Sequence, residues 1–181
     1  SYSLTGPCLR ASGVEHDLRT AEPYSSYEEF DFDVPVASHG DAYDRYLVRM
    51  EEMVQSQRIV LQVLDNLPSG PVNIEDNKII LPDKKDAHGH IEGLIHHFKI
   101  IMTGHGVQPP VGEIYCATES PNGELGFYIV SDGNRTPYRV RTRPPSFMNY
   151  SIFSKLIDGH MLSDAPAIIG SINVIAGELD R

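Results

Sequence analysis

The pattern of hydrophobic and polar positions divides the chain into four segments. Residues 1–40 show no sustained periodicity and are interrupted by glycine and proline. Residues 41–106 show helical spacing, residues 113–143 alternate as β-strands do, and residues 160–181 are rich in apolar and small residues. We therefore expect an irregular packing segment, a helical part, a small antiparallel sheet and a buried C-terminal tail, all within one domain of the α+β class.

Two helices are predicted in the helical part. In residues 41–66 apolar positions recur three and four apart, and Asp41 is a suitable N-cap. A second helix is expected over about 86–103, with Gly104 and Gly106 at its end. Its apolar stripe consists of Ile91, Leu94, Ile95, Phe98 and Met102.

The strand-like part predicts a three-stranded antiparallel meander with turns at residues 120–123 and 132–134. Residues 164–177 are apolar and fit either a short helix or a strand. The aromatic and acidic residues 24–33 are expected to pack onto another body, with a short strand around Phe30 and Phe32. The predicted strands of the meander are residues 113–119, 124–131 and 136–143.

Composition narrows the possible partners and sites. The net charge of -10 argues against a nucleic-acid binder, which needs an excess of Lys and Arg. No apolar run reaches the roughly 18 residues of a membrane span. Cys8 and Cys116 are too few for an iron–sulfur or structural zinc site and favour free thiols, although one disulfide is possible. Because the sequence opens at Ser1, without a methionine, we expect a fragment, a processed product or an engineered form of a protein.

Three groups of polar residues have competing interpretations. The histidines at 88–97 suggest a metal, but no HExxH motif occurs, and a histidine-lined helix is the preferred interpretation. The arginines at 139, 141 and 143 share one strand face, which is either solvated or set against acidic residues of a partner or of residues 24–33. Glu119 and Glu124 flank a turn, which is commoner than a catalytic carboxylate pair.

Seven sequence blocks, in order along the whole chain, resemble the 49 kDa (D-type) subunit family of NADH:quinone oxidoreductase, respiratory complex I. They lie at residues 5–19, 32–36, 40–53, 93–99, 117–133, 137–147 and 175–181. The longest are TGPCLRASGVEHDLR and ATESPNGELGFYIVSDG, and the last, IAGELDR, ends in the family's E-x-D-R.

The resemblance implies a fold similar to the C-terminal half of the nickel–iron hydrogenase large subunit, with long helices of a bundle beside the small sheet. Asn122 stands where hydrogenases carry an arginine in their E-x-P-R-G turn. The chain ends without the cysteine–histidine motif that binds nickel in those enzymes. No bound metal or cofactor is therefore expected in this chain, and the cavity would serve quinone.

The resemblance also implies which residues line the quinone site. By position these are Asn173, Ile175 and Arg181, with Arg181 as the candidate catalytic residue. The family commonly has Asp where this chain has Asn173. A positive charge at Arg181 would raise the potential of a nearby iron–sulfur cluster and donate hydrogen bonds to reduced quinone.

The function implied is quinone reduction coupled to proton translocation in the assembled complex, with this chain alone catalytically silent. Quinone is the substrate, and the iron–sulfur cluster and FMN are carried by partner subunits. The implied partners are other peripheral-arm subunits, above all the iron–sulfur subunit with the terminal cluster and the membrane subunit of the quinone site. The expected location is peripheral, on the cytoplasmic or matrix side of an energy-transducing membrane, most simply the bacterial plasma membrane. A structural assembly module and a hydrogenase-type large subunit are the alternatives.

Overall fold

The computed structural model describes residues 2–76, 79–102, 105–106 and 108–180 as a mixture of helices and strands. This confirms the α+β class, and the three strands of these residues form a small open antiparallel sheet in the order β1-β2-β3. The strands are β1 (Gly112–Ser120), β2 (Gly123–Ser131) and β3 (Arg139–Arg143). The α-helices of the described residues are α1 (Pro7–Arg10), α2 (Leu18–Ala21), α3 (Ala42–Asn66), α4 (Lys84–Gly89), α5 (Ile91–Ile101), α6 (Pro145–Tyr150), α7 (Phe153–Ile157), α8 (Ala165–Ile172) and α9 (Ala176–Leu179).

Helix α3 confirms the strongest sequence prediction, including its cap. The Asp41 carboxylate accepts a hydrogen bond of 2.7 Å from the backbone N–H of Asp44, one of the donors that a helix start leaves unpaired. The helix ends at Asn66, and Pro68 cannot continue it.

The prediction of one helix over 86–103 was wrong, because α4 and α5 are separate helices. His90 has an extended backbone (φ −131°, ψ 137°) and interrupts them. Gly93 allows the start of α5 to approach α4, since a Cβ there would lie 2.4 Å from the carbonyl oxygen of Asp86. The second of these helices ends at Ile101, and Gly104, the predicted terminator, lies outside the described residues.

One compact unit comprises residues 1–67, 116–127 and 142–181, and α3 packs there against α1 and α8. Among its described residues, nine polar or charged ones are buried beside six apolar ones other than proline and glycine. Much of its apolar surface, by contrast, is exposed along α3, for example at Met53 and Leu64. The buried apolar residues are Cys8, Ala11, Leu18, Val48, Ile168 and Ile172.

The predicted buried tail is buried on one side only. Ile168 and Ile172 of α8 lie in the core, whereas Met161, Leu162 and Ile175 are exposed. Residues 164–177 contain α8 and the start of α9 and no strand, and a short helix presents only one face to its neighbours.

The second unit comprises residues 68–115 and 128–141, in which α4 packs against α5. The apolar stripe of α5 is largely exposed, with Ile91 at 69% and Phe98 at 47% of their full accessibility. The side chain of Arg135 donates a hydrogen bond to the carbonyl of Ile101.

The aromatic segment 24–33 contains a 3-10 helix, Tyr27–Glu29, and no strand, so the strand expected around Phe32 was wrong. The segment packs locally instead. Arg19 lies 5.0 Å from the ring centre of Phe32, and Asp31 and Asp33 form ion pairs with Arg58 of α3.

Candidate functional site

A buried guanidinium organises one side of the first unit. The Arg10 side chain is 1% exposed, and its Nη1 donates to Glu119 Oε1 at 3.0 Å. Its Nη2 pairs with Glu52 of α3, and Asp17 Oδ2 lies 3.4 Å from Nη1. One cation therefore joins three carboxylates that come from three separate parts of the chain.

A second arginine, Arg19, binds the Asp17 carboxylate of this cluster. Nε and Nη2 of Arg19 donate to the Asp17 carboxylate at 2.9 and 2.6 Å, and Asp17 also caps α2. Burial acts to raise the pKa of Asp17, but the hydrogen bonds and charge of Arg19, helped by Arg10, hold that pKa below its usual value. Asp17 therefore stays ionised.

Glu119 behaves in the opposite way. Burial raises the pKa of Glu119 above its ordinary value, although the charge and hydrogen bond of Arg10 act against that rise. The backbone N–H of Leu18 also donates to it, at 3.3 Å. Within the cluster, Glu119 is the carboxyl that burial biases toward the protonated form.

The β1–β2 turn lies directly on the N-terminal segment. Gly6 and Gly123 approach so closely that a Cβ on Gly6, which has φ +65°, would lie 2.4 Å from the Cα of Gly123. The Thr5 hydroxyl accepts a hydrogen bond of 3.1 Å from the backbone N–H of Glu124. These contacts fix the turn against the start of the chain.

Two arginines of α3 hold the end of the tail helix α8. Arg49 donates to the carbonyl oxygens of Ser171 at 2.6 Å and Ile172 at 3.1 Å, and Nε of Arg45 donates to Ser171 Oγ at 3.0 Å. Cations at this position satisfy the last carbonyls of a helix and complement its dipole. Asn173 then ends the helix in the left-handed conformation (φ 59°, ψ 57°) that asparagine tolerates.

Two of the three predicted site residues, Asn173 and Ile175, lie in the described part of the chain. Asn173 lies at the end of α8, where its Nδ2 donates to Oδ1 of Asn122 in the β1–β2 turn at 2.7 Å. Ile175 is about half exposed, and its backbone N–H donates to Ser146 Oγ at 3.4 Å. Arg181 lies outside the described residues.

A groove of about 770 Å³ lies within this unit, and both Asn173 and Glu119 line it. Its apolar wall comes mainly from two tyrosines and two methionines, and its polar wall includes two arginines and two glutamates. Its size and mixed lining suit a ring-bearing organic ligand with polar atoms. The lining side chains include Arg19, Tyr27, Tyr46, Arg49, Met50, Glu52, Met53, Glu119 and Asn173.

The carboxylates that flank the β1–β2 turn do not form a catalytic pair. Glu119 binds Arg10, whereas Glu124 Oε2 lies 3.2 Å from Nη1 of Arg143. Of the three alternating arginines, Arg143 is therefore engaged within the chain, and Arg139 and Arg141 are exposed.

Sequence reasoning missed Arg10, Asp17 and Glu52. Arg10 and Asp17 lie in a long irregular sequence block, and Glu52 lies on a helix rich in charge, so no spacing rule joins them. The only signal was an excess of charge in a segment otherwise expected to be packed.

Metal-binding clusters and membrane-spanning helices were both sought in the described part of the chain. Among those residues, His, Cys, Asp and Glu form no group of three or more arranged to hold a metal ion, and this includes the described histidines of 88–97. Among the same residues, no helix is both long enough and apolar enough to cross a bilayer.

Comparison with known proteins identifies the family. The profile described as "Respiratory-chain NADH dehydrogenase, 49 Kd subunit" matches residues 1–181. The C/D-type subunit of NADH-quinone oxidoreductase from Bdellovibrio bacteriovorus is 57% identical over 180 residues, which are 99% of this chain and 32% of that protein. The D-type subunits of the same enzyme from Myxococcus xanthus and Methylacidiphilum infernorum are 50% and 52% identical, also over 99% of this chain and 43% of theirs. The chain thus spans less than half the length of these relatives, and it belongs to the family of the 49 kDa subunit of respiratory-chain NADH dehydrogenase.

Proposed function

We propose that this chain is part of a proton-translocating NADH:quinone oxidoreductase and helps to form the quinone-reduction site next to the terminal iron–sulfur cluster of a partner subunit. The observation that carries the proposal is the contact of Asn173 with the β1–β2 turn at the wall of the 770 Å³ groove. The relatives' shared name, NADH-quinone oxidoreductase, gives the reaction class.

The lining of the groove fits that reaction. A quinone is a flat apolar ring with two carbonyl oxygens, and its reduction to quinol takes up two electrons and two protons. Tyr46, Met50 and Met53 offer apolar surface to such a ring. Glu119, whose pKa is raised by burial, is suited to take up and release a proton beside a bound ring.

Quinone is the substrate in this proposal, and the redox groups belong to other subunits. In this proposal the iron–sulfur cluster supplies the electrons, and both the cluster and FMN are carried by partner subunits. The two cysteines of this chain are fewer than the four thiolates that such a cluster needs. The partners are the iron–sulfur subunit with the terminal cluster and the membrane subunit of the quinone site. The chain lies peripherally on the cytoplasmic or matrix side of the membrane.

The wider fold is proposed on the same basis. The long α3 and the small sheet suit the C-terminal half of a nickel–iron hydrogenase large-subunit-like fold, in which α3 belongs to a larger helix bundle. A hydrogenase function is disfavoured, because the chain belongs to the family of the 49 kDa subunit of respiratory-chain NADH dehydrogenase.

The test is Arg181→Met in the assembled complex. We expect quinone reductase activity to fall at least tenfold, because the cation that stabilises reduced quinone is lost, while NADH oxidation by ferricyanide is retained. Arg141→Met removes an exposed arginine of β3 and is the matched control, with both activities unchanged. Unchanged quinone turnover in Arg181→Met would contradict the proposal.

A structural assembly role is the second candidate, and the exposed apolar faces of α3 and α5 favour it. Contiguous apolar surface of this kind usually marks contact with other protein. In that case Arg181→Met would leave quinone turnover per complex unchanged. Substitutions on the exposed face of α3, such as Leu64→Ser, would instead lower the amount of assembled complex and both activities together.

A further inference from the structure

We propose that Asn122 is a positioning residue of the quinone site, whose side chain holds Asn173 and thereby fixes the end of the tail helix against the β1–β2 turn. This inference rests on the proposed function and deepens it. It adds a residue from a different part of the chain to the three expected from the sequence.

The two amides meet at a short distance in a partly buried place. Nδ2 of Asn173 lies 2.7 Å from Oδ1 of Asn122, and Asn122 is 3% exposed. Fifty-one residues of chain separate them. The bond is therefore a tertiary contact that joins two elements of the first unit.

Each partner is anchored independently of the other. The carbonyl oxygen of Asn122 accepts from Nδ2 of the buried Asn149 at 2.9 Å, and Oδ1 of Asn149 accepts from the Thr5 N–H at 3.3 Å. On the other side, Arg49 binds the carbonyl of Ile172, the residue before Asn173. The amide pair thus connects two elements that each have their own anchors. Its loss should let the end of α8 shift relative to the β1–β2 turn without unfolding either element.

The position of the pair gives it a functional consequence. Asn173 lines the groove together with Ser120 and Pro121, which precede Asn122 in the β1–β2 turn. A shift of about 1 Å in a substrate-positioning wall can cost up to a hundredfold in rate. An amide pair is suited to this place because it donates and accepts hydrogen bonds without requiring a counter-ion in partly buried surroundings.

The test is a double-mutant cycle in the assembled complex, with Asn122→Ala, Asn173→Gly and both together. Glycine is used at 173 because alanine would add left-handed backbone strain to the loss of the amide. We expect each single variant to raise the KM for quinone or lower kcat/KM by about fivefold to tenfold, as for one lost hydrogen bond. The double variant should be no worse than the poorer single variant, because the two residues act as one unit.

Asn66→Ala, at the exposed end of α3, is the matched control and should change nothing. NADH:ferricyanide activity should stay constant throughout, whereas a loss of assembled complex would lower it together with quinone reduction. Multiplied effects in the double variant would overturn the pairing while leaving the quinone-site proposal intact. Equal losses of ferricyanide and quinone activities would overturn the positioning role in favour of a structural one.

A cycle with no effect on quinone kinetics would also overturn this inference. Arg181→Met measured in parallel then separates the two levels. If Arg181→Met still loses quinone turnover, only the proposed role of Asn122 is contradicted. If Arg181→Met is also unchanged, the proposed function is contradicted as well.

Discussion

Replacing Arg10 with methionine should be among the most damaging single changes in the first unit. The substitution keeps an unbranched chain of similar length but removes the cation shared by Asp17, Glu52 and Glu119. The Asp17 and Glu119 side chains are 0% and 5% exposed, so water cannot replace the lost partner. Leaving buried charges uncompensated costs about 3–5 kcal/mol, a large part of the 5–15 kcal/mol that stabilises a typical domain.

The matched control is Arg58→Met, which also removes an arginine from two carboxylates. Arg58 is 41% exposed, and Asp31 and Asp33 are about 80% exposed, so this loss should cost about 0–1 kcal/mol. The comparison therefore tests burial, since the residue change is the same and acidic partners are lost in both variants.

The assay is urea unfolding of the purified chain, followed by circular dichroism and tyrosine fluorescence. With an m-value of about 1–3 kcal/mol/M, Arg10→Met should lower the midpoint by about 1–5 M relative to Arg58→Met. If Arg10→Met does not fold at all, Arg10→Lys should fall between it and the wild type, because the charge is kept and the forked hydrogen bonding is lost. Equal midpoints for Arg10→Met and Arg58→Met would refute the reasoning.

Three further outcomes are expected. Burial raises the pKa of Glu119 in the folded state, so the stabilising contribution of Glu119 is present below the ordinary glutamate pKa and is lost as the pH rises through the raised pKa. The free energy of unfolding of the wild type, relative to that of Glu119→Gln, should therefore fall as the pH increases. If urea titrations show the same free-energy difference between the two proteins at every pH, the reasoning is contradicted. Gly6→Ala should destabilise the protein by several kcal/mol in thermal unfolding, because the added Cβ meets the Gly123 backbone. Gly159→Ala is the control: Gly159 also has a positive φ but open space around it, so the substitution should cost only about 1–2 kcal/mol. Equal losses of stability would show that backbone strain, and not the contact with Gly123, causes the destabilisation. Asp41→Ala should cost about 0.5–2 kcal/mol through loss of the α3 cap, and an unchanged melting temperature would dismiss the cap's contribution.

Local features of the sequence were sufficient to predict an element where the interactions that form it are also local. The start of α3 at Asp41 needs only a side chain that reaches an N–H three residues away, and the meander needs only alternation and turn residues. The break between α4 and α5 at His90 was not predicted. The apolar stripe used to predict the helix begins at Ile91, after the break, so its helical spacing gives no information about His90.

The candidate site divides in the same way. Family resemblance selected Asn173 and Ile175, but no rule of spacing connects Asn173 to Asn122, or Arg10 to Glu52 and Glu119.

The sequence by itself determined the strands, the long helix and the family, since these depend on periodicity, caps and ordered motifs. Only the tertiary structure decided which polar side chains are buried together. Burial removes water as the alternative partner, so the pKa of Glu119 and the pairing of Asn122 with Asn173 depend on neighbours that are distant along the chain.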